Sequence, residues 1–311
     1  MFETMTDRIE RYLDHRLSLG FQMKVEGYLL RNFAQYADSL GYCGPLTIEL
    51  AIRWAKLPAD GAPIYWAHRL ALVRRFARYQ VMFEPHTEIP PAGFFRATRR
   101  RIKPHIYSDQ DLAMLLAGAK KLTGGELRRK SHVALFGLLA CTGLRIAEAL
   151  KLTCEDVDLR RGILTIRQTK FHKSRLVPLH PSATEALREY ARFRDASQPA
   201  PQSIAFFLTE KGEALNYRAV CETFKRLRRR LGWGGNTPRI YDLRHTFICR
   251  RLFAWYQEGT DVHHAIYALS TYVGHVKPTY TYWYVTGIPE LLAITADRFE
   301  HFVKQGKGGL R

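Results

Sequence analysis

The chain lacks several features that would place it in a common class. Its five cysteines, Cys43, Cys141, Cys154, Cys221 and Cys249, include no Cys-x-x-Cys pair and are odd in number. A disulfide scaffold or a cysteine metal site is therefore disfavoured, and a reduced, cytosolic protein is expected. Cys141 sits in an apolar run and reads as a small core residue. Long apolar runs are missing too. The longest, Val133 to Cys141, is too short to span a bilayer, so membrane insertion is not expected. The opening MFETMTDRIERYL is charged and has no apolar stretch of the signal-peptide kind. There is no internal repeat, no low-complexity segment, no P-loop, no metal-spaced His/Cys set and no carboxylate cluster.

Acids are scarce as well: 29 Asp and Glu against 48 Lys and Arg, a formal charge of +19. The isoelectric point is near 9.9. Such an excess repels itself unless a polyanion neutralises it. Nucleic acid is the leading partner and an anionic membrane surface the second.

What is present has the texture of a two-domain globular protein, since 311 residues exceed what one compact core usually covers. Residues 1–88 read as a helical bundle. Ile9, Tyr12, Leu13 and Leu17 repeat at helical spacing, with Thr6 as N-cap and Gly20 as a stop. Leu29, Phe33, Tyr36 and Leu40 form a second stripe closed by Gly41. Thr47 caps a third helix carrying Leu50 and Trp54. Trp66, Leu70, Val73 and Ala77 form a fourth, whose other faces carry Arg69, Arg74, Arg75 and Arg78. Residues 89–106 read as an extended, basic linker. Pro90, Pro91 and Pro104 oppose a helix there, and Arg99, Arg100, Arg101 and Lys103 could touch phosphates.

Residues 107–311 form the second expected domain. Ser108 and Asp111 make a weak capping box, and a mostly apolar helix runs from near Leu127 to Cys141. The period then switches. Ile163-Leu164-Thr165-Ile166 and Leu176-Val177 are two β-rich arms of a hairpin around a polar turn. Ser182 and Glu185 make a better capping box for the helix of Leu187 and Tyr190. Val220, Phe224, Leu227 and Leu231 define another helix. Pro289 suits a first helical turn, and Leu292, Ala296, Phe299 and Phe302 line one face of a C-terminal helix. The expected class is mainly α with one small antiparallel sheet.

Four words carry chemistry. In CTGLRIAEALKL (141–152), Arg145 follows an apolar stretch, where an unpaired guanidinium is costly and needs an anion. An ion pair with Glu148 is the plainer explanation. In YDLRHTF (241–247), Arg244 and His245 open an amphipathic helix, and Asp242 is a structural partner to weigh. TKFHKSRLVPL (169–179) places Lys170 on the hairpin turn, with Lys173 and Arg175 beside it. GHVKPTYTYWYV (274–285) holds His275, then Tyr280, Tyr282 and Tyr284.

In this order the words resemble the tyrosine recombinase family, also called the phage integrases, over about 140 to 285, with a flavour similar to transposon-borne members. The resemblance implies a helical, SAM-like core-binding domain at 1–88 and a catalytic domain at 107–311. Arg145 and Arg244 match the two family arginines, Lys170 the hairpin lysine, His275 the late histidine and Tyr284 the nucleophile. Tyr280 and Tyr282 remain neighbours to weigh. One position departs: the family usually has histidine three residues before the second arginine, and here that residue is Tyr241. A phenol can make the hydrogen bond but does not titrate near neutrality. His245 is expected to leave the helix in another direction and so not to replace it.

What the resemblance implies is cleavage and rejoining of DNA through a 3′-phosphotyrosyl link, with no metal or other cofactor required. It also implies double-stranded DNA with inverted half-sites, self-association to dimer and tetramer on DNA, and room for partner recombinases. Arg74, Arg78, Arg99, Arg100, Arg101, Lys103, Lys173 and Arg175 are expected along the DNA. The location would be cytoplasmic, on the nucleoid. Two rival readings keep the fold: a DNA-binding regulator that lost turnover, and a type IB topoisomerase. A third, a basic structural or membrane-surface protein, does not.

Overall fold

The computed structural model describes residues 3–96, 104–167, 174–234 and 238–287, with side chains through Tyr284. The chain divides into two compact units, Met1–Ile102 and Lys103–Arg311, a division that falls inside the expected linker.

The first unit holds helices α1 (Met5–Ser18), α2 (Lys24–Ser39), α3 (Ile48–Ala55) and α4 (Pro63–Gln80). Ile9, Leu13, Leu30, Phe33, Trp54, Val73 and Phe76 fill its core. The cap of α1 is Thr4, not Thr6: the Thr4 hydroxyl accepts from Asp7 N, and Thr6 instead bonds Asp38 across the bundle. Gly20 and Gly41 take left-handed backbones just past α1 and α2, as stop signals require. Thr47 caps α3 through Leu50 N. Leu17 and Leu40, at the ends of their stripes, are exposed. On α4, Arg75 and Arg78 are exposed and Arg74 half-buried, but Arg69 turns inward onto Trp54.

The second unit opens with α5 (Asp109–Lys120) and α6 (Glu126–Thr142), then the short α7 (Ile146–Ala149). Ser108 and Asp111 close the capping box reciprocally. A three-stranded antiparallel sheet follows, β1 (Val157–Asp158), β2 (Ile163–Ile166) and β3 (Arg175–Pro178), in that spatial order. The hairpin register pairs Leu164 with Val177 and Ile166 with Arg175. The two-residue β1 is too short to show an alternation in the sequence. Next come α8 (Pro181–Ser197), α9 (Tyr217–Arg230), α10 (Asp242–Glu258), α11 (Val262–Val273) and α12 (Thr279–Gly287). The cap of α8 is His180, not Ser182, because Pro181 has its backbone already set for the first helical position. Glu185 pairs instead with Arg188 and Arg192.

The unit packs two clusters. One joins α5, α6, α8, α9 and the sheet around Leu135, Phe136, Leu164, Phe206 and Phe224; the other joins α10, α11 and α12 around Ile248, Leu252, Ile266, Val273 and Tyr284. Cys141 does not reach the core. It lines a hollow of about 610 Å³ between α6 and α8. No described helix is long and apolar enough to cross a membrane.

Candidate active site

Two tight turns build the site. The first ends α6 at Gly143, whose backbone is left-handed. A side chain there would also strike the ring of Phe247 on α10, at 2.6 Å from the added carbon. The second ends α11 at Gly274, again left-handed, where an added carbon would lie 2.6 Å from the Arg175 guanidinium. Glycine at both positions lets the first turn approach α10, which carries Arg244, and the second approach the Arg175 side chain of β3.

Arg145 caps α7. Its Nη1 donates to Glu148 Oε1 at 2.8 Å, and its Nη2 donates to the Gly274 carbonyl at 2.9 Å. The ion pair with Glu148 is therefore real, yet the guanidinium keeps about a third of its surface open. It lines a cleft of about 660 Å³ with Lys151, Thr153, Arg167 and Gly274.

Arg244 is different. It lies one turn into α10 and is 1% exposed. Nη1 donates to the Gly143 carbonyl at 2.7 Å and Nη2 to the Val273 carbonyl at 2.8 Å. The two turns are thus stitched together by one side chain. Among the described residues no carboxylate pairs with it, and its Nε meets no acceptor. Asp242, the partner weighed from the sequence, is taken by Arg239 at 2.7 Å. Burial, and then the positive charge of Arg145, pull Arg244 down to about 10, so it stays protonated at neutral pH. A buried cation held by carbonyls alone lacks a compensating anion.

Behind the pair stands Arg175. Nε donates to the Tyr272 carbonyl at 2.8 Å and Nη2 to Glu148 Oε2 at 2.8 Å. Its side chain is 8% exposed. Expected along DNA, it instead braces Glu148 from inside. The reason is strand alternation: Arg175 and Val177 share the inner face of β3, and Leu176 points out. Burial raises Glu148, but the hydrogen bonds and charges of Arg175 and Arg145 outweigh it and hold the carboxyl below its ordinary range.

His275 follows Gly274. Its ring stacks nearly parallel to Tyr284, at 15° and 6.3 Å between centroids, and its Nδ1 lies 2.7 Å from Thr281 Oγ1. Burial first, then Arg244 and Arg145, push it down to about 3. The ring is therefore neutral near pH 7.

The three tyrosines separate by environment. Tyr280 is 48% exposed and only edge-on to His275. Tyr282 turns toward His263, with its hydroxyl 3.4 Å from Nδ1. Tyr284 is buried among His245, Trp283 and His275 and lies close enough to Arg244 for an ionised phenol to steady that charge. Tyr241 sits at the N-cap of α10, well exposed, with its ring edge-on to His245 at 5.0 Å. His245 does not point away, as the sequence suggested. Its position between Tyr241 and Tyr284, at 5.3 Å from the latter ring, follows from its place one helical turn from the N-cap.

Arg145, Arg244, His275, Tyr284 and, at the margin, Tyr241 thus come together. Arg74 and Arg78 belong to α4 of the first unit. Arg99, Arg100, Arg101, Lys103, Lys170, Lys173 and the expected C-terminal helix lie outside the described residues. Sequence reasoning missed Thr281 and Ser270, although Thr281 stands one helical turn before Tyr284.

Known proteins resemble this chain in sequence and in fold. The profile of the phage integrase family matches residues 108–287. The y4rB protein of Sinorhizobium fredii (strain NBRC 101917 / NGR234), by name an integrase/recombinase, is 38% identical over 306 residues, covering 96% of this chain and 97% of its own. Among solved structures, the Tn1549 transposon integrase in complex with a circular intermediate DNA superposes with a TM-score of 0.69 at 16% identity, covering 95% of this chain and 99% of that one. A lambda integrase tetramer bound to a Holliday junction gives 0.58 at 17%, covering 89% and 78%. The structures speak for the fold, and the profile and the end-to-end relative settle descent: this chain belongs to the phage integrase family, the tyrosine recombinases.

Proposed function

We propose that the chain cuts and rejoins DNA at specific sites with Tyr284 as nucleophile. The observation that carries this is Arg244: a buried guanidinium with no carboxylate partner among the described residues, two carbonyls fixing its plane, and a second arginine and a neutral imidazole beside it. A phosphodiester supplies the missing anion. Its non-bridging oxygens take paired donors from Arg145 and Arg244, which stabilise the charge that grows during attack. Arginine suits the task because its fork is planar and always charged.

The Tyr284 oxygen bonds to phosphorus as the bond to the 5′ oxygen breaks, leaving a 3′-phosphotyrosyl link. The phenolic proton passes to solvent water as attack proceeds, and the two cations beside the phenol ease its loss. The leaving oxygen takes a proton from Lys170, the candidate general acid in the stretch of sequence between β2 and β3. His275 donates a hydrogen bond to the phosphate. Tyr241 fills the place of the usual histidine with a hydrogen-bonding group that does not titrate near neutrality. Because the covalent link conserves the bond energy, a new 5′ hydroxyl reverses the step.

The partner is duplex DNA, and the protein works as a multimer on it. Two protomers would take inverted half-sites and two such pairs would synapse, with Arg74, Arg78 and the basic residues of 89–106 against phosphates. A mobile element is the natural setting, in the cytoplasm on the nucleoid. The DNA-bound transposon integrase and the junction-bound tetramer among the fold's relatives support this reading.

The test is a DNA duplex nicked next to the cleavage point, which traps the covalent intermediate. The expected result is an adduct that vanishes in Tyr284→Phe. Adduct without strand exchange between two labelled sites points to topoisomerase activity; DNA binding without adduct points to a regulator weakened at Tyr241.

A further inference from the structure

Thr281 lies between Tyr280 and Tyr282 on α12 and is fully buried. Its hydroxyl is 2.7 Å from two groups, Ser270 Oγ on α11 and Nδ1 of His275. A hydroxyl has one proton to give and can accept others. Distance alone does not say which way the protons run, but their accounting does.

Ser270 is also buried, and Thr281 is the one hydrogen-bond partner of its hydroxyl among the described residues. Suppose the His275 ring donated from Nδ1. Thr281 would then donate to Ser270, and the Ser270 proton would be left without an acceptor in a buried place. That is the costly outcome for a hydroxyl removed from water. In the opposite sense Ser270 donates to Thr281, Thr281 donates to Nδ1, and every proton is met.

We propose that Thr281, backed by Ser270, is a positioning residue that holds His275 as the tautomer protonated on Nε2, so that the ring meets the target phosphate as a hydrogen-bond donor. This rests on the reading of His275 as a phosphate contact. The neutral state of the ring makes the choice matter, because a neutral imidazole has one N–H and its place decides donor against acceptor. Thr281 is also one helical turn before Tyr284 on α12, so the same hydroxyl ties the nucleophile's helix to α11 and to the ring stacked on the phenol.

The closing experiment reads the tautomer directly, in the full chain labelled with 15N histidine and without DNA. The signals lost in His275→Gln identify the ring. They are expected to show bare Nδ1 and protonated Nε2 in the native protein, a mixture of tautomers in Thr281→Val, and the native pattern again in Thr281→Ser. Thr281→Ala, which removes the same hydroxyl, is expected to give the same mixture and serves if Thr281→Val does not fold. A native ring protonated on Nδ1, or a pattern unchanged in both variants, overturns the proposal.

A second arm uses the nicked duplex. Thr281→Val should slow adduct formation about tenfold, Thr281→Ser should stay within about twofold, and Thr281→Val added to His275→Ala should cost nothing more. An additive loss in that double variant means Thr281 acts elsewhere and overturns the proposal too. Should the native chain form no adduct while its tautomer is as expected, the recombinase reading falls and the positioning role stands.

Discussion

Two buried arginines, one in each unit, look alike in a burial profile and differ in everything that matters. Arg69 is 4% exposed, Arg244 1%. Each has a buried Nε with no acceptor among the described residues, and neither pairs with a carboxylate there. Arg69, however, sits over the Trp54 indole with its Cζ 3.7 Å from the ring centre, with Tyr65 beyond, and one nitrogen donates to the Trp54 carbonyl at 2.8 Å. The aromatic face supplies the electrons that an anion would otherwise supply. Among the described residues no aromatic face is seen under Arg244 in that way. It has carbonyls from two glycine-dependent turns, Arg145 close enough to repel it, and a neutral histidine nearby. Burial of a cation is therefore no mark of a site; burial of a cation beside a second cation, with no carboxylate or aromatic face of its own among the described residues, is one.

The sharpest way to break this comparison is to swap each arginine for lysine. Arg244→Lys keeps the charge and loses the fork, so single-turnover cleavage of a nicked duplex should fall about 10²- to 10³-fold. Arg69→Lys should leave the cleavage rate within about twofold and lower stability by about 1 kcal/mol in urea unfolding, through the weakened contact with Trp54. Equal losses of cleavage in both variants would erase the distinction.

The next largest effect concerns the carboxylate that Arg244 lacks and its neighbours share. Glu148 serves Arg145 on the open side and Arg175 on the closed side. Glu148→Gln leaves the Arg175 guanidinium buried and unmatched, and unfolding free energy should drop by about 3 kcal/mol. Cleavage should fall as well, because Arg145 loses its anchor. A stable, active Glu148→Gln protein would show that the carbonyl contacts, one for Arg145 and two for Arg175, suffice.

His275 gives a smaller effect with a definite sign. Its ionisation is pushed from the ordinary 6.5 down to about 3 by burial and by Arg244, Arg145, His245 and Arg175. The unfolded chain therefore binds a proton at a higher pH than the folded one. The contribution to stability is whole above pH 6.5 and erodes as the pH falls from there toward 3. The loss should be at most about 1 kcal/mol per pH unit, allowing for partial solvent screening of the ring. Urea unfolding of the native chain and His275→Gln across that window checks it: the variant should show the shallower slope.

Much of this arrangement was legible beforehand, and the failures have physical causes. Helical periodicity found the helices because each buries one stripe: Ile9 and Leu13 on α1, Val220, Phe224 and Leu227 on α9. The four catalytic words were legible by resemblance, and the position of Arg145, Arg244, His275 and Tyr284 in one place follows from the two glycine turns inside those words. Arg69 and Arg175 were misread as surface cations, since composition records charge but not which way a helix or strand faces. For Arg175 the clue was available, two residues before the buried Val177. Thr281 was missed because a hydroxyl one turn before a tyrosine acquires meaning only when a histidine from another turn arrives against it.

The smallest effect tests the other half of the comparison, the arginines of α4 that stayed outside. Arg78 is exposed and Arg74 half-buried, one helical turn apart, on the helix whose inner side holds Arg69. An exposed guanidinium gains little from its own protein and is worth most against a phosphate, where it releases condensed counterions. Arg78→Ala should then weaken DNA binding about equally for target and unrelated duplexes. It should also reduce the slope of log affinity against log salt by about one. Because only phosphate contacts change, cleavage of saturated complexes should keep its rate. Arg69→Lys should leave the salt slope untouched. A slope that changes with Arg69 and not with Arg78 would mean that the basic side of the first unit faces away from the duplex.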